Sequence, residues 1–441
     1  MEKMRDSLMI RLTGKVKKNE VSMIEVPIQW LANSRALKNS KSQLAADLFP
    51  SGLAQKVRKL HSTIPGYRMS PLKSLPNLAR RIGLGGIWVK DESARLSLNS
   101  FKVLGGSYAI YRKLLERGGF QEDKVSLKDM LQLDGKYREK LGHPVFATAT
   151  DGNHGTGIAW AAHKMGFPSI IYVHSLTTKD RIRGIEREGG QVVVVDGNYD
   201  DAVRQASIDA NKNGWEIISD TSWEGYEEVP RWIMQGYATM FVETQEQFSG
   251  QGLSRPTHLF VQAGVGSLAA SAIGYYSVLF NDNVPLSMVV EPTRAGCLYE
   301  SMRIGDGKPH SVTGELDTIM AGLACGDPNP LAWETLYNCA DFFAICPDYV
   351  AAKGMRVYST PLPDDPLIIS GESGAVTLGA LMYTMEYEGA RELRDAMGLN
   401  EDSQVLLINT EGNTSPEEFR SVVWEGSIPV PEEFKIHAKE E

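Results

Sequence analysis

The chain has 441 residues, of which 42% are hydrophobic and 23% are charged, and its formal net charge is −9 at pH 7. This length allows a large core, and domains of roughly 100–200 residues would divide the chain into two or three lobes. The acidic balance argues against a nucleic-acid or anionic-membrane partner, because neither favours an acidic protein.

Short apolar runs bounded by glycine, proline or aspartate predict the strands. In chain order they lie at residues 87–90, 145–150, 169–173, 191–196, 258–263, 287–291, 366–370 and 404–410. Most are continuous rather than alternating, which indicates strands that are covered on both faces. Helical segments lie between them, for example at 201–213 and 267–280, and this alternation predicts an open, mostly parallel α/β sheet.

Residues 259–280 contain no charged residue, and their length would suit a membrane span. The sequence Q-A-G-V-G-S near the start of this stretch fits a buried strand, a glycine turn and a buried helix better. The first residues of the chain show no sustained apolar segment, so we predict neither a membrane span nor a signal peptide.

The chain has four cysteines, and none of them is in a C-x-x-C spacing. This pattern predicts neither a disulfide framework nor a metal site. We therefore expect free cysteines and a cytoplasmic location.

Lys102 lies in S-L-N-S-F-K-V-L-G-G, between an aromatic residue and a Gly-Gly pair that suggests a break in the chain direction. Lysines usually lie on solvated surfaces, whereas the neighbours of this one in the sequence are mostly apolar. A buried lysine has a lowered pKa and can form a Schiff base with an aldehyde.

Three turns that follow predicted strands are unusual, and ligands of open α/β sheets bind outside the carboxyl ends of strands. The first is A-T-D-G-N-H-G at 149–155, directly after the strand that ends at Thr150. Glycines at a helix N-terminus leave backbone N–H groups free for an anion, and Asp151 would repel that anion. Asp151 could instead be a simple helix N-cap.

The second turn, Q-A-G-V-G-S-L at 262–268, again joins a strand to a helix. Gly264 and Gly266 would let the backbone approach a phosphate, although such a loop can also do no more than turn the chain. The third, L-L-I-N-T-E-G-N-T at 406–414, places Thr410 at the carboxyl end of a buried strand. Its hydroxyl could cap a turn or hydrogen-bond a bound ring.

Together, the lysine and the three turns indicate pyridoxal phosphate. This cofactor combines an aldehyde, a phosphate and a pyridine nitrogen that needs a partner. Its aldehyde would react with Lys102, its phosphate would bind a glycine turn, and its ring would contact the remaining turns.

With these motifs the chain resembles the fold-type II pyridoxal-phosphate enzymes, which include tryptophan synthase β and threonine dehydratase. The resemblance implies that Lys102 is the Schiff-base lysine, that Asn153 meets the ring hydroxyl and that Thr410 meets the pyridine nitrogen. It also implies a phosphate-holding loop that consists of Gly264, Val265, Gly266, Ser267 and Leu268.

Within that superfamily the chain is more similar to the diaminopropionate ammonia-lyase family, through K-D-E-S-A-R-L-S-L-N-S-F-K, D-T-S-W-E-G-Y, W-I-M-Q-G-Y and I-M-A-G-L-A-C-G. Enzymes of that family convert 2,3-diaminopropionate and water to pyruvate and two ammonia molecules. The resemblance implies two open, mostly parallel sheets flanked by helices, with the active site between a large and a small domain. The large domain would comprise residues 1–118 and 228–441 and the small domain residues 119–227, and a homodimer is expected.

The resemblance also suggests roles for polar residues near the substrate. It implies that Asp151 and Asp220 serve opposite stereoisomers, Asp151 the D form and Asp220 the L form. It places Thr150, His154 and Glu372 near the substrate, although His154 could equally be structural and Asp220 could be a turn cap.

Three other functions are compatible with parts of these patterns. A serine or threonine dehydratase would use the same cofactor and fold, and a non-catalytic pyridoxal-phosphate-binding homologue would keep the cofactor alone. A nicotinamide dehydrogenase would need a G-x-G-x-x-G opening with an acidic partner, which the chain lacks.

Overall fold

The computed structural model describes residues 25–36, 43, 45–131 and 135–436, and its strands form two sheets. The strands are β1 Gln29–Ala32, β2 Leu72–Ser74, β3 Gly86–Asp91, β4 Phe146–Ala149, β5 Ser169–His174, β6 Gln191–Val195, β7 Glu216–Ile217, β8 His258–Gln262, β9 Leu286–Pro292, β10 Phe342–Cys346 and β11 Gln404–Asn409.

The larger sheet has seven strands in the described part of the chain, in the order β1-β10-β9-β8-β11-β3-β2. Its inner pairs are parallel, and the edge strands β1 and β2 pair antiparallel with β10 and β3. Strand β8 is buried at every position, as its continuous apolar run predicted. An α/β architecture with mostly parallel sheets is confirmed.

The smaller sheet has four parallel strands in the order β6-β5-β4-β7. All four strands lie between residues 146 and 217, inside the interval 119–227 that we predicted for a small domain. The domain boundaries themselves stay a prediction.

Helices cover both sheets. They are α1 Leu53–His61, α2 Pro76–Arg81, α3 Lys102–Gly118, α4 Leu127–Leu131, α5 Gly135–Leu141, α6 Asn153–Lys164, α7 Lys179–Arg187, α8 Tyr199–Asn213, α9 Glu228–Gly250, α10 Ser267–Phe280, α11 Cys297–Ile304, α12 Pro330–Cys339, α13 Asp348–Ser359, α14 Glu372–Glu386, α15 Arg391–Met397 and α16 Pro416–Val423.

The uncharged stretch 259–280 forms a strand, a turn and a helix, as predicted. Among the described helices, none is long and apolar enough to cross a membrane.

The Gly-Gly pair after Lys102 does not break the chain, because both glycines lie inside α3. They are needed for close packing: a Cβ on Gly105 would lie 2.5 Å from the ring of Tyr237 in α9, and one on Gly106 would lie 2.8 Å from Ile158 in α6. A helix with glycines on two faces can thus lie tightly between two others, and this packing fixes the position of Lys102 at its N-terminus.

The prediction of a strand at residues 366–370 is wrong, because this segment forms no strand. There the N–H of Ile368 donates to the carbonyl of Tyr358, and the carbonyl of Ile369 accepts from the side chain of Asn409. The segment is an irregular connection in which Ile368 is buried and Leu367 is exposed. It begins with Pro366, which has no N–H to offer, and a short apolar run alone cannot distinguish such a connection from a strand.

Candidate active site

A cavity of about 990 Å³ lies beyond the carboxyl ends of strands from both sheets. Its volume is at the upper end of the range typical of small-molecule sites. Every site residue predicted from the sequence lines it, namely Lys102, Thr150, Asp151, Asn153, His154, Asp220, Gly264, Val265, Gly266, Ser267, Leu268, Glu372 and Thr410.

The amine of Lys102 is paired with a carboxylate. Its Nζ donates to Oδ2 of Asp220 at 2.6 Å. Burial alone would lower the pKa of Lys102, but the attraction of Asp220 outweighs it, so the pKa is raised rather than lowered as predicted. Conversely, burial would raise the pKa of Asp220, yet the Lys102 ammonium holds it at about 2. A proton leaving the lysine therefore has Asp220 as its hydrogen-bonded acceptor.

The segment before Lys102 is conformationally constrained. Leu96, Ser97 and Asn99 all have positive φ angles, of 49°, 63° and 56°. Such left-handed conformations are costly for residues other than glycine, and they persist where surrounding contacts enforce them.

A buried charge cluster next to this segment provides such contacts. The Arg95 guanidinium pairs with Glu92 and with Glu243, both at 2.7 Å, and Lys90 pairs with Glu243 at 2.8 Å. All four side chains are fully buried, so the loss of one partner would leave an uncompensated charge. The cluster holds the start of the loop that leads to Lys102.

The turn after β4 is held by Thr150 rather than by Asp151. The Thr150 hydroxyl accepts hydrogen bonds from the N–H groups of Gly152 (2.9 Å) and Gly155 (3.0 Å). Asp151 does not cap α6, and its Oδ2 contacts Arg181 Nη1 at 3.3 Å. The carboxylate is thus part of the cavity wall and has no capping function.

The Nδ2 group of Asn153 donates a hydrogen bond to Oε2 of Glu411 at 2.5 Å. Glu411 also accepts the N–H of Ser373, so it links α6 to the start of α14. Burial, together with the negative charge of Glu411, raises the pKa of Glu372 to about 7. Glu411 lines the cavity and lies in T-E-G-N, directly after Thr410, but the sequence analysis did not predict it as a site residue.

His154 makes one structural hydrogen bond. Its Nε2 contacts the carbonyl of Ile218 at 2.8 Å, and because that carbonyl can only accept, Nε2 carries the hydrogen. Burial lowers the pKa of His154, which favours the neutral ring. This contact supports the structural alternative, while Nδ1 has no partner among the described residues.

The loop after β8 has the backbone geometry of an anion-binding turn. Gly266 has a φ of 101°, and a Cβ on Gly264 would lie 3.1 Å from Sγ of Cys325. The loop leads into α10, whose first N–H groups have no partner within the helix and no capping side chain in the described part of the chain. Free N–H groups at a helix N-terminus bind phosphate.

The Ser267 hydroxyl has no hydrogen left to donate to an anion. It donates to the carbonyl of Asp220 at 2.7 Å and accepts from Nδ2 of Asn329 at 2.9 Å. Its contribution to an anion therefore comes from its backbone N–H.

Thr410 is oriented by Gln262. The Gln262 Nε2 lies 2.8 Å from the carbonyl of Ser373 and 3.0 Å from that of Ile408, which fixes it as the amide nitrogen. The same nitrogen lies 3.1 Å from the Thr410 hydroxyl, so its two hydrogens are shared among three acceptors. Because an amide nitrogen does not accept, the hydroxyl keeps its own hydrogen to donate, which suits an unprotonated pyridine nitrogen.

The sequence match agrees with this geometry. A family model described as pyridoxal-phosphate dependent enzyme matches residues 63–411. The chain belongs to the pyridoxal-phosphate dependent enzymes. A lysine amine, a phosphate-type loop and a hydroxyl donor around one cavity fit that cofactor, and no group of described residues is placed to hold a metal ion.

Within this family the chain is similar to diaminopropionate ammonia-lyases. It is 46% identical to the Escherichia coli K12 protein over 383 residues, which cover 87% of this chain and 94% of that protein. It is 43% identical to the Salmonella typhimurium protein over 400 residues, which cover 90% and 98%. The crystal structure of diaminopropionate ammonia lyase from Escherichia coli in complex with D-serine matches with a TM-score of 0.84 at 42% identity, and covers 92% of this chain and 98% of that chain.

Four polar residues of this pyridoxal-phosphate site were missed by reasoning from the sequence. Gln262 and Glu411 lie inside quoted motifs, so their position beside Gly264 and Thr410 could have identified them. Arg181 and Asn329 have no local signal, because their partners lie far away in the chain.

Proposed function

We propose that the protein is a diaminopropionate ammonia-lyase, which converts 2,3-diaminopropionate and water to pyruvate and two molecules of ammonia. The observation that carries this proposal is the presence of two carboxylates, Asp151 and Asp220, that line one cavity with Lys102 and come from different strand ends. The similarity to diaminopropionate ammonia-lyases over most of the chain supports it.

The residues that would hold the cofactor are those around the three turns. Lys102 forms the covalent link, the loop 264–268 holds the phosphate, Asn153 meets the ring hydroxyl and Thr410 meets the ring nitrogen. Pyridoxal phosphate, when bound, supplies the electron sink that allows the α-proton and the β-amino group of an amino acid to leave.

The two carboxylates are proposed to act on different enantiomers. The α-protons of D and L substrates point to different sides when the same contacts hold the rest of the molecule, so one base cannot reach both. Asp220 touches the Lys102 amine, whereas Asp151 contacts Arg181. We therefore assign the D proton to Asp151 and the L proton to Asp220, each acting as general base.

The charge of the cavity favours this substrate over serine or threonine. Glu372, Glu411 and Glu418 line the cavity together with the two aspartates. An excess of carboxylates attracts the second ammonium group of diaminopropionate, which serine and threonine lack. A dehydratase is the second candidate, and pyruvate or 2-oxobutyrate release from a substrate series separates the two.

The experiment is steady-state pyruvate formation from D- and L-2,3-diaminopropionate by the wild type and three variants. We expect Lys102→Ala to abolish turnover. Asp151→Asn should lower the rate on the D form, and Asp220→Asn the rate on the L form, each by roughly 10²–10⁴-fold, which is the usual contribution of a positioned general base.

Two outcomes would contradict the proposal. No pyruvate from either enantiomer with the wild type would exclude the activity and favour a non-catalytic homologue. Equal losses on both enantiomers in both aspartate variants would exclude the two-base assignment. A homodimer and a cytoplasmic location belong to the same proposal and rest on the family resemblance and on the composition.

A further inference from the structure

Arg181 is a buried cation in the wall of the cavity. It lies in the first turn of α7, and its side chain is 4% exposed. Its aliphatic part packs on Gly152, where a Cβ would lie 3.1–3.2 Å from Arg181 carbons. A side chain at position 152 would therefore press on Arg181, and the φ of 145° there also favours glycine.

The guanidinium contacts two oxygen atoms of Asp151. Nη1 lies 3.2 Å from the carbonyl and 3.3 Å from Oδ2 of Asp151, while Nε lies 3.3 Å from Oγ of Ser415. Contacts with both the main chain and the carboxylate of one residue restrict the rotation of its side chain. Ser415, which lies just before α16, contacts the guanidinium at a different nitrogen from Asp151.

The surrounding charges keep Arg181 ionised. Burial would lower the pKa of Arg181, but the carboxylates of Glu411, Asp151, Glu372 and Glu418 together raise it. Without this cation, the Asp151 carboxylate would face the other carboxylates uncompensated and would turn away from them.

We propose that Arg181 is a positioning residue that holds the Asp151 carboxylate toward the reacting carbon of the D substrate. The inference rests on the proposed function, in which Asp151 is the base for the D form. The effect is confined to that enantiomer because Asp220 is held by other groups, namely Lys102, Ser267 and Asn329.

The test compares Arg181→Gln, Arg181→Lys and Ser415→Ala with the wild type, Asp151→Asn and the control Arg183→Gln. Arg183 lies on the same helix, but its side chain is 66% exposed. Pyruvate formation is measured for each enantiomer at saturating cofactor, together with the cofactor dissociation constant and the unfolding temperature.

We expect Arg181→Gln to lower kcat on D-diaminopropionate by about 10- to 100-fold, the size of effect that a misplaced catalytic group produces. The rate on the L form and the cofactor dissociation constant should stay within about threefold of the wild type. Arg181→Lys should recover part of the D rate, because it keeps the charge but not the fork of donors. Ser415→Ala, which leaves the cation in place and tests the anchor without removing a buried charge, should give a smaller loss on the D form.

Parallel losses on both enantiomers at full cofactor occupancy, or an unchanged D rate in both Arg181→Gln and Ser415→Ala, would overturn the proposal and leave Arg181 with a structural role. If Asp151→Asn itself shows no preference for the D form, the base assignment fails, and the positioning role fails with it. Because the Asp151→Asn variant retains Arg181, failure of the base assignment can be distinguished from failure of the positioning role.

Discussion

Asn329 is predicted to couple the phosphate loop to Asp220, and Asn329→Asp tests this. The Asn329 side chain is fully buried. Its Nδ2 donates to the Asp220 carbonyl at 3.0 Å and to the Ser267 hydroxyl at 2.9 Å. Its Oδ1 accepts the N–H groups at the start of α12 and the Ser222 hydroxyl, and its own N–H donates to the carbonyl of Val265.

An aspartate at this position keeps the accepting oxygen and loses the two donors. Aspartate is as good an N-cap as asparagine, so α12 should persist. Each lost donor bond contributes about 0.5–1.5 kcal/mol, which gives a total of about 1–3 kcal/mol. Because 1.4 kcal/mol corresponds to about tenfold in an equilibrium constant, we expect cofactor affinity to fall by about 5- to 140-fold.

The assay is a cofactor titration followed by pyruvate formation from each enantiomer at saturating cofactor. Since Asn329 holds the carbonyl of Asp220, the rate on the L form should fall more than the rate on the D form. Asn338→Asp makes the same chemical change on the same helix, outside the cavity lining, and serves as the control. A cofactor dissociation constant and an L-to-D rate ratio equal to those of the control would refute the coupling.

Two further predictions concern single groups of the cavity wall. Gly266→Asp should weaken cofactor binding, because a residue other than glycine at a φ of 101° costs about 1–3 kcal/mol and its Cβ would lie 3.1–3.4 Å from Leu336, Leu298 and Ala332, so the loop that would hold the phosphate has to shift; an unchanged dissociation constant would place the phosphate elsewhere. Glu372 has its pKa raised by burial and by Glu411 from 4.5 to about 7, so the native state binds this proton more tightly than the unfolded chain, and the resulting stability is lost as the pH rises through 7. Glu372→Gln should therefore unfold at a higher temperature than the wild type at pH 8 with little difference at pH 5, and parallel profiles in thermal unfolding would contradict this.

The position of the site was predictable because it depends on parallel strands. The carboxyl ends of parallel strands lie at one edge of a sheet, so the turns after β8 and β11 converge although they are far apart in the chain. The turn after β4 belongs to the smaller sheet and meets them because the cavity lies beyond the carboxyl ends of strands from both sheets. Each turn carried a local signal of glycine next to a polar residue. The runs 149–155, 262–268 and 406–414 therefore sufficed to predict that these three turns line the cavity.

The residues that hold the site in place were not predictable, because their role depends on which face of a helix or strand is buried. Arg181 and Arg183 lie two residues apart in K-D-R-I-R-G, a sequence typical of a solvated helix, yet their side chains are 4% and 66% exposed. The glycines after Lys102 likewise indicate a break when only the neighbouring residues are considered. Their role in α3 follows from Tyr237 and Ile158, which only the folded chain brings to them.

The lysine shows the same limit in its chemistry. Burial alone predicts a lowered pKa for Lys102, but the carboxylate that reverses the shift comes from Asp220, 118 positions away. That pairing also distinguishes the two carboxylates. Asp220 is tied through Ser267 and Asn329 to the loop that would hold the phosphate, whereas Asp151 is tied to Arg181. Under the proposed assignment, reaction at the L proton would be linked to occupation of the phosphate loop, while reaction at the D proton would depend on a separate contact with Arg181. The two can therefore be altered independently within one cavity.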